Sequence, residues 1–179
     1  MSTAYNASSL EDGISALGKG AKKISFQACQ PKLGEEGCAE LCRSLKKHDD
    51  VHWLGLFDQE LTPYALDGLL HNLKPNKNLV HLDLGRNQLG DEGVLKICDF
   101  LTGNKSISEV FLWDNKITNE GAKHIENMLM KNRSIQILDL NDNPEISQDM
   151  KSRIAALLKQ GSSRVPTSPR LGPAKIGGQ

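Results

Sequence analysis

A single spacing governs what this chain can fold into. The segments Leu79-Val80-His81-Leu82-Asp83-Leu84-Gly85-Arg86-Asn87-Gln88-Leu89 and Ile107-Ser108-Glu109-Val110-Phe111-Leu112-Trp113-Asp114-Asn115-Lys116-Ile117 superpose at a shift of 28 residues. The same shift forward reaches Ile135, Leu138, Leu140 and Asn143. Backward it reaches Val51, Leu54, Leu56, Gln59 and Leu61, and then Lys23, Phe26, Ala28, Pro31 and Leu33. Five copies of the pattern LxxLxLxxNxL in one register imply a repeat architecture. A unit of that size cannot bury its apolar side alone and must stack on its neighbours.

Within each unit the hydrophobic period changes from two to helical. The alternating stretch reads as a strand, and Gly34, Thr62, Gly90, Thr118 and Ser147 follow where a helix N-cap is expected. Thr62-Pro63 places proline at the first helical position. Apolar residues then recur at helical spacing: Cys38, Leu41, Cys42 and Leu45; Leu66, Leu69, Leu70 and Leu73; Val94, Ile97, Cys98 and Leu101. Ile125, Met128 and Leu129, then Ile154, Ala155 and Leu158, extend the series, and His48, Asn76, Asn104 and Asn132 precede the next strand. The predicted fold is α/β: a right-handed solenoid, a horseshoe segment with an inner parallel sheet and outer helices. Asn87, Asn115 and Asn143 are placed to cap backbone groups along the stack. Pro31 cannot do so and Gln59 fits less well, so the first two turns are expected to be irregular. Pro144 adds a residue to the last turn, with register restored at Ile146.

These units resemble the ribonuclease-inhibitor-like class of leucine-rich repeats, marked by a 28-residue unit with a full helix, over about residues 23–160. The resemblance implies the fold strongly. It implies function only broadly, because the class includes enzyme inhibitors, GTPase-activating proteins, actin-capping modules and immune receptors.

The ends read differently. Residues 1–22 are expected to form an N-terminal cap, with Ser8-Ser9-Leu10-Glu11 as a capping box and Leu10, Ile14 and Leu17 on one side of a helix over 8–18. Five repeats fill 23–160, the last helix made polar outside by Lys151, Arg153 and Lys159. Residues 161–179 carry Arg164, Arg170 and Lys175, three prolines and no acid, a composition that predicts a disordered tail. Pro166-Thr167-Ser168-Pro169 within it has the form of a polyproline ligand or a Ser168 phosphosite, against the plainer reading of a solvated tail.

At 179 residues, 38% hydrophobic and 25% charged, the chain suits one soluble domain. Lys+Arg and Asp+Glu both number 22, so no global charge points to nucleic acid or membrane. The N-terminus lacks the basic and apolar regions of a secretory signal, and no apolar run nears the roughly 20 residues of a membrane span. Cys29, Cys38, Cys42 and Cys98 then fit a reducing compartment, and a cytoplasmic monomer is the expectation.

Strand alternation assigns the concave face. The outward set is Ser25, Gln27, Cys29 and Gln30; Trp53, Gly55, Phe57 and Asp58; His81, Asp83, Gly85 and Arg86; Glu109, Phe111, Trp113 and Asp114; Ile137, Asp139, Asn141 and Asp142. Both tryptophans and two of the four phenylalanines fall on it. So do six acids, Asp58, Asp83, Glu109, Asp114, Asp139 and Asp142, against the single Arg86. Aromatic anchors among charges are the make-up of a protein-binding hot spot, and an acidic field would draw a partner with a basic or mixed surface. The plainer reading is that some rings pack against neighbouring strands.

Chemistry is not evident elsewhere. There is no phosphate loop or dinucleotide fingerprint, and no basic stripe for nucleic acid. Cys38 and Cys42 are turned inward by helix periodicity; Cys29 is the one cysteine expected to be exposed. Asp114 and Asp142 sit at equivalent sites, where solvated acids are more usual than a cation site. Neither cofactor nor metal is expected. The sequence therefore predicts a non-enzymatic interaction module, with an enzyme regulator (a GTPase-activating protein or an inhibitor) as the alternative.

Overall fold

The computed structural model describes residues 4–162. Of the tail expected to be disordered over 161–179, Gly161 and Ser162 belong to the last helix, and the remainder, with its polyproline motif and phosphosite, lies outside the described residues. The chain alternates short strands with helices. β1 (Tyr5–Asn6) and α1 (Leu10–Gly18) precede β2 (Lys23–Ser25) and α2 (Gly34–Leu45). Then follow β3 (Trp53–Gly55), α3 (Pro63–Leu73), β4 (His81–Asp83), α4 (Gly90–Gly103), β5 (Glu109–Phe111), α5 (Asn119–Lys131), β6 (Ile137–Asp139) and α6 (Gln148–Ser162). The strands form one parallel sheet in chain order, β1 to β6, which is the α/β solenoid that the repeat requires. Each central strand residue points inward: Ile24, Leu54, Leu82 and Val110 are fully buried against the helix residues Leu41, Leu69, Ile97 and Ile125. The N-terminal cap adds a strand of its own, which the sequence pattern does not reveal because it is only two residues long.

The first unit departs from the strict period. Lys23 pairs with Trp53, thirty residues on, whereas Trp53 and His81 are twenty-eight apart. Register returns at Leu33, whose amide bonds the Gln59 side chain as the Leu61 amide bonds that of Asn87. The turn between Phe26 and Leu33 is therefore two residues longer than its counterparts and contains the cis Gln30-Pro31 bond. The inward residues of this unit are Ile24, Phe26 and Cys29, not Lys23, Ala28 and Pro31. Ser25 and Cys29, expected outside, are buried. In α6 the inward side is Met150 and Ile154 with half-buried Leu157 and Leu158, while Ala155 is exposed.

Helix starts are tied across units. Ser9 caps α1 by accepting the Asp12 amide, and Asp12 reaches back to the Ser8 amide, so the box runs through Asp12 and not Glu11. Thr118 caps α5 while its own amide and hydroxyl donate to Asp91 of the preceding helix. Gly34 and Gly90 are not N-caps but first helical residues at φ 54 and 55, a conformation that glycine adopts without a Cβ penalty.

The turns are held by a buried row of amides. Asn87 Oδ1 accepts the Gln59 and Leu61 amides at 3.0 Å each, and its Nδ2 donates to the carbonyls of Leu56, Leu84 and Gly85. Asn115 and Asn143 repeat the arrangement. Gln59, expected to be a poor fit, joins it: Oε1 accepts the Leu33 amide and Nε2 donates to Phe57 and Asp58 carbonyls. An Asn87→Ala variant strands the Gln59 and Leu61 amides and the Leu56 carbonyl, while the Leu84 and Gly85 carbonyls keep their bonds from Asn115 and Asp58, and each unsatisfied group costs about 1–3 kcal/mol. We expect a loss of about 3–4 kcal/mol in urea unfolding, against under about 0.5 kcal/mol for Asn141→Ala, whose side chain is exposed. Equal effects of the two changes would refute the spine.

Candidate functional site

The strand register lays the concave side chains in rows. One row runs Lys23, Trp53, His81, Glu109, Ile137, and the next Ser25, Gly55, Asp83, Phe111, Asp139. Beyond the strands, amide-to-carbonyl bonds from Asp58 to Gly85, Arg86 to Trp113 and Asp114 to Asn141 continue the order into a row of Phe57, Gly85, Trp113 and Asn141. The rim row Asp58, Arg86, Asp114 and Asp142 takes left-handed φ of 55, 52, 50 and 56, which turns the chain out of the sheet.

Two glycines decide how the rings lie. A Cβ on Gly55 would stand 2.7 Å from the Trp53 ring, and one on Gly85 would stand 2.3 Å from the Trp113 ring. Each indole therefore leans over a glycine, with an edge in the space that a Cβ would fill. Trp53 stacks on His81 with centroids 4.4 Å apart and planes 18° from parallel. His81 in turn faces Phe111 at 4.8 Å, and Trp113 stacks on Phe57 at 4.9 Å. Aromatic pairs at such separations contribute about 0.5–1.5 kcal/mol each beyond their burial. The rings are half-buried, so they pack on one another and still present a surface. A glycine inside a strand pattern was the sequence signal for this close approach.

The acids are less bare than their number suggests. Lys32, carried on the lengthened first turn, bonds Asp58 at 2.6 Å. Glu109 bonds His81 Nδ1 at 2.8 Å, and Arg86 lies 3.9 Å from Asp114. Asp83 and Asp139 accept the amides of Gly85 and Asn141, two residues on. Asp83, Asp139 and Asp142 have no cationic ion-pair partner among the described residues. The expected acidic excess is therefore confined to the centre and the β6 side, and Lys23 and Lys32 balance the first units. Lys32 was not read as part of the face because only the longer turn brings it there.

Burial shapes the two central titratable groups. It holds the His81 imidazole below its ordinary range, against the pull of the Glu109 and Asp83 carboxylates. It raises the Asp83 carboxyl above the usual carboxylate range, offset in part by the Gly85 amide. The His81 Nε2 is buried without a hydrogen-bond partner, which suits a neutral ring lodged between Trp53 and Phe111.

Cys29 is the clear correction. It is fully buried in the first turn, its thiol donates to the Pro31 carbonyl at 3.3 Å, and burial pushes the thiol up from its usual range. Burial likewise pushes the Cys98 thiol up to about 12. All four cysteines are free thiols in the core. Among the described residues no group of three or more His, Cys, Asp or Glu is placed to hold a metal, and no helix is long and apolar enough to cross a membrane.

Comparisons agree with this architecture. A family model described as Leucine Rich repeat matches residues 76–98. Ribonuclease inhibitor of Mus musculus is 36% identical over 90 residues, 49% of this chain and 19% of that protein. NACHT, LRR and PYD domains-containing protein 3 of Bos taurus is 33% identical over 102 residues, 56% of this chain and 10% of that protein. The chain thus spans a small part of these relatives' length. Leiomodin-1 actin-binding site 2 superposes with a TM-score of 0.69 at 14% identity, covering 87% of this chain and 90% of that one. The tropomodulin C-terminal domain of Caenorhabditis elegans gives 0.67 at 14% identity, covering 87% and 94%. Those two likenesses are of fold.

Two measurements check the face. Gly85→Ala drives a methyl into the Trp113 ring, so tryptophan emission shifts to the red with a stability loss of about 1–2 kcal/mol; unchanged emission would contradict the close approach of this ring to Gly85. For His81, a folded pKa below the ordinary 6.5 means that protonation favours the unfolded chain. Its contribution to stability is complete above 6.5 and is lost as pH falls through the lower folded midpoint. We expect His81→Gln to flatten the slope of unfolding free energy over that window, and an imidazole NMR midpoint above 6.5 would overturn the assignment.

Proposed function

The chain is a leucine-rich-repeat protein of the ribonuclease-inhibitor-like class, and from that premise we propose that it is a non-enzymatic interaction module that docks a partner protein on its concave face. The observation that carries this reading is the placement of its aromatic side chains. Both tryptophans and half of the phenylalanines of a chain with 4% aromatics lie on the open sheet, the indoles leaning over glycines, while the core is filled mainly with leucine and isoleucine. Trp53, Phe57, Phe111 and Trp113 act as anchors, with His81 joining the two sets of rings. Asp58, Asp83, Arg86, Glu109, Asp114, Asp139 and Asp142 supply the polar surround that excludes water and sets orientation. A partner with a basic or mixed surface suits the uncompensated acids at the centre and on the β6 side. Four buried free thiols accord with a reducing compartment such as the cytoplasm, and a monomer leaves the face open.

The likeness to ribonuclease inhibitor favours a second use of the same surface, covering the active site of an enzyme. A GTPase-activating role is the other form of that alternative. Acceleration of GTP hydrolysis across a panel of small GTPases would select it, and inhibition of a bound enzyme would select the inhibitor.

The decisive variant is Trp53→Ala with Trp113→Ala. Both rings lie on the surface side of the sheet, so helix content and cooperative unfolding persist. Partner recovered by the wild-type chain in affinity purification should be bound at least roughly 30-fold more weakly, since two hot-spot truncations commonly remove that much. Unchanged affinity would sink the concave-face reading.

A further inference from the structure

The centre of the concave face is a three-by-three grid. β3 contributes Trp53, Gly55 and Phe57; β4 contributes His81, Asp83 and Gly85; β5 contributes Glu109, Phe111 and Trp113. Asp83 occupies the middle position. Beside it on β3 the Trp53 ring lies over Gly55; after it along β4 the Trp113 ring lies over Gly85. Phe111 stands beside it on β5, and His81 precedes it. One carboxylate is thus set in a floor whose other members are four aromatic rings, an imidazole, two glycines and the His81-paired Glu109.

The hydrogen bonds leave Asp83 unfinished. Its Oδ1 accepts the Gly85 amide at 2.9 Å, and its Oδ2 has no hydrogen-bond or ion-pair partner among the described residues. Of the cations of the face, Lys32 pairs with Asp58, Arg86 lies nearest Asp114, and Lys23 stands at the far end of the Trp53 row; none pairs with Asp83. His81 gives its Nδ1 side to Glu109 and stays neutral in its slot. Burial disfavours the charge on Asp83, and the Asp139 carboxylate adds repulsion in the same direction. A carboxylate with one open oxygen, set among aromatic side chains of neighbouring grid positions, is complementary to a cation that is planar and itself stacks.

We propose that this face holds one arginine side chain of its partner, the guanidinium pairing with Asp83 and stacking on the indoles of Trp53 and Trp113. The inference rests on the docking reading above and deepens it by naming the anchor. An arginine fits better than a lysine because its fork donates side by side to a carboxylate while its plane lies along a ring. An aspartate that costs the folded chain stability at this position regains it when the incoming cation restores its partner.

The two tryptophans of the protein both stand in the grid, so tryptophan fluorescence, excited at the red edge where Tyr5 and Tyr64 do not absorb, reports the site alone. The test titrates the full chain with Nα-acetyl-argininamide, the matching lysine amide and the matching citrulline amide, an uncharged isostere, at constant ionic strength. Expected is a saturable change with the arginine amide in the millimolar range, with the citrulline amide at least roughly tenfold weaker and lysine between them. Asp83→Asn keeps the Oδ1 acceptor for Gly85, melts at the same or a higher temperature at neutral pH, and loses the preference for arginine over citrulline. A merely structural Asp83 would instead destabilise the chain on substitution and leave the preference intact. Equal response to arginine and citrulline, no saturable response to either, or discrimination that persists in Asp83→Asn overturns the anchor. None of these bears on whether the tryptophan double variant loses its partner, so the fate of the docking reading is scored separately.

Discussion

Strands of three residues cannot hold a parallel sheet together by their ladder bonds alone, and in this chain the missing restraint comes from buried amide side chains at both ends of each strand. At the outgoing end Gln59, Asn87, Asn115 and Asn143 each satisfy their own turn and the turn of the preceding unit. At the incoming end Asn76 accepts the Asn78 and Leu79 amides and donates to the Val51 carbonyl. Asn132 likewise donates to the Leu101 and Asn104 carbonyls, and Asn104 accepts the Ser106 and Ile107 amides. A buried amide is costly when unpaired and specific when paired. Because all of these but Asn104 bridge two units, they fix not only a turn but the offset between neighbours. The rows of the concave face exist because that offset is constant.

A constant offset is what lets side chains from separate units behave as one surface. Trp53, His81 and Glu109 share a row only because β3, β4 and β5 pair at twenty-eight residues. Gly55 and Gly85 then make room for the indole edges of Trp53 and Trp113, since any Cβ there would push the ring away. Local backbone pairing, glycine placement and ring stacking thus act in sequence. The surface they produce sets His81 and Asp83 among aromatic rings at its centre and is charged along the Asp58 to Asp142 rim.

Much of this was legible in the amino-acid sequence because repetition averages out local ambiguity. Asn87, Asn115 and Asn143 declare themselves by spacing, and the leucines around them can point only one way. The errors cluster where repetition fails. In the first unit two extra residues sit between Phe26 and Leu33, and sliding the period through them put Cys29 outside and Ala28 inside, the reverse of what burial requires. Gln59 looked unsuited because it is longer than asparagine, yet the extra methylene is absorbed by bonding the two preceding carbonyls. The ion pairs of the face were out of reach for a different reason. Lys32 finds Asp58 through a loop that no period describes, so counting charges on strands overstated the acidity.

The two groups at the centre of the face are also the two that the fold tolerates least well. His81 sits with a ring nitrogen buried and unpaired, and Asp83 keeps a carboxylate where burial opposes its charge. A core built for stability alone would place apolar side chains at both positions, since the surrounding rings already exclude water. Elsewhere the chain satisfies its polar groups closely: His81 Nε2 is the one buried side-chain nitrogen or oxygen without a partner among the described residues. Unrelieved cost concentrated on one exposed floor, where the other described polar groups are relieved, is a cost that the proposed docking of a partner would offset. The same reasoning separates the aromatic floor from the outer helices, where Tyr64 lies exposed beside Lys96 and no buried polar group waits for a partner.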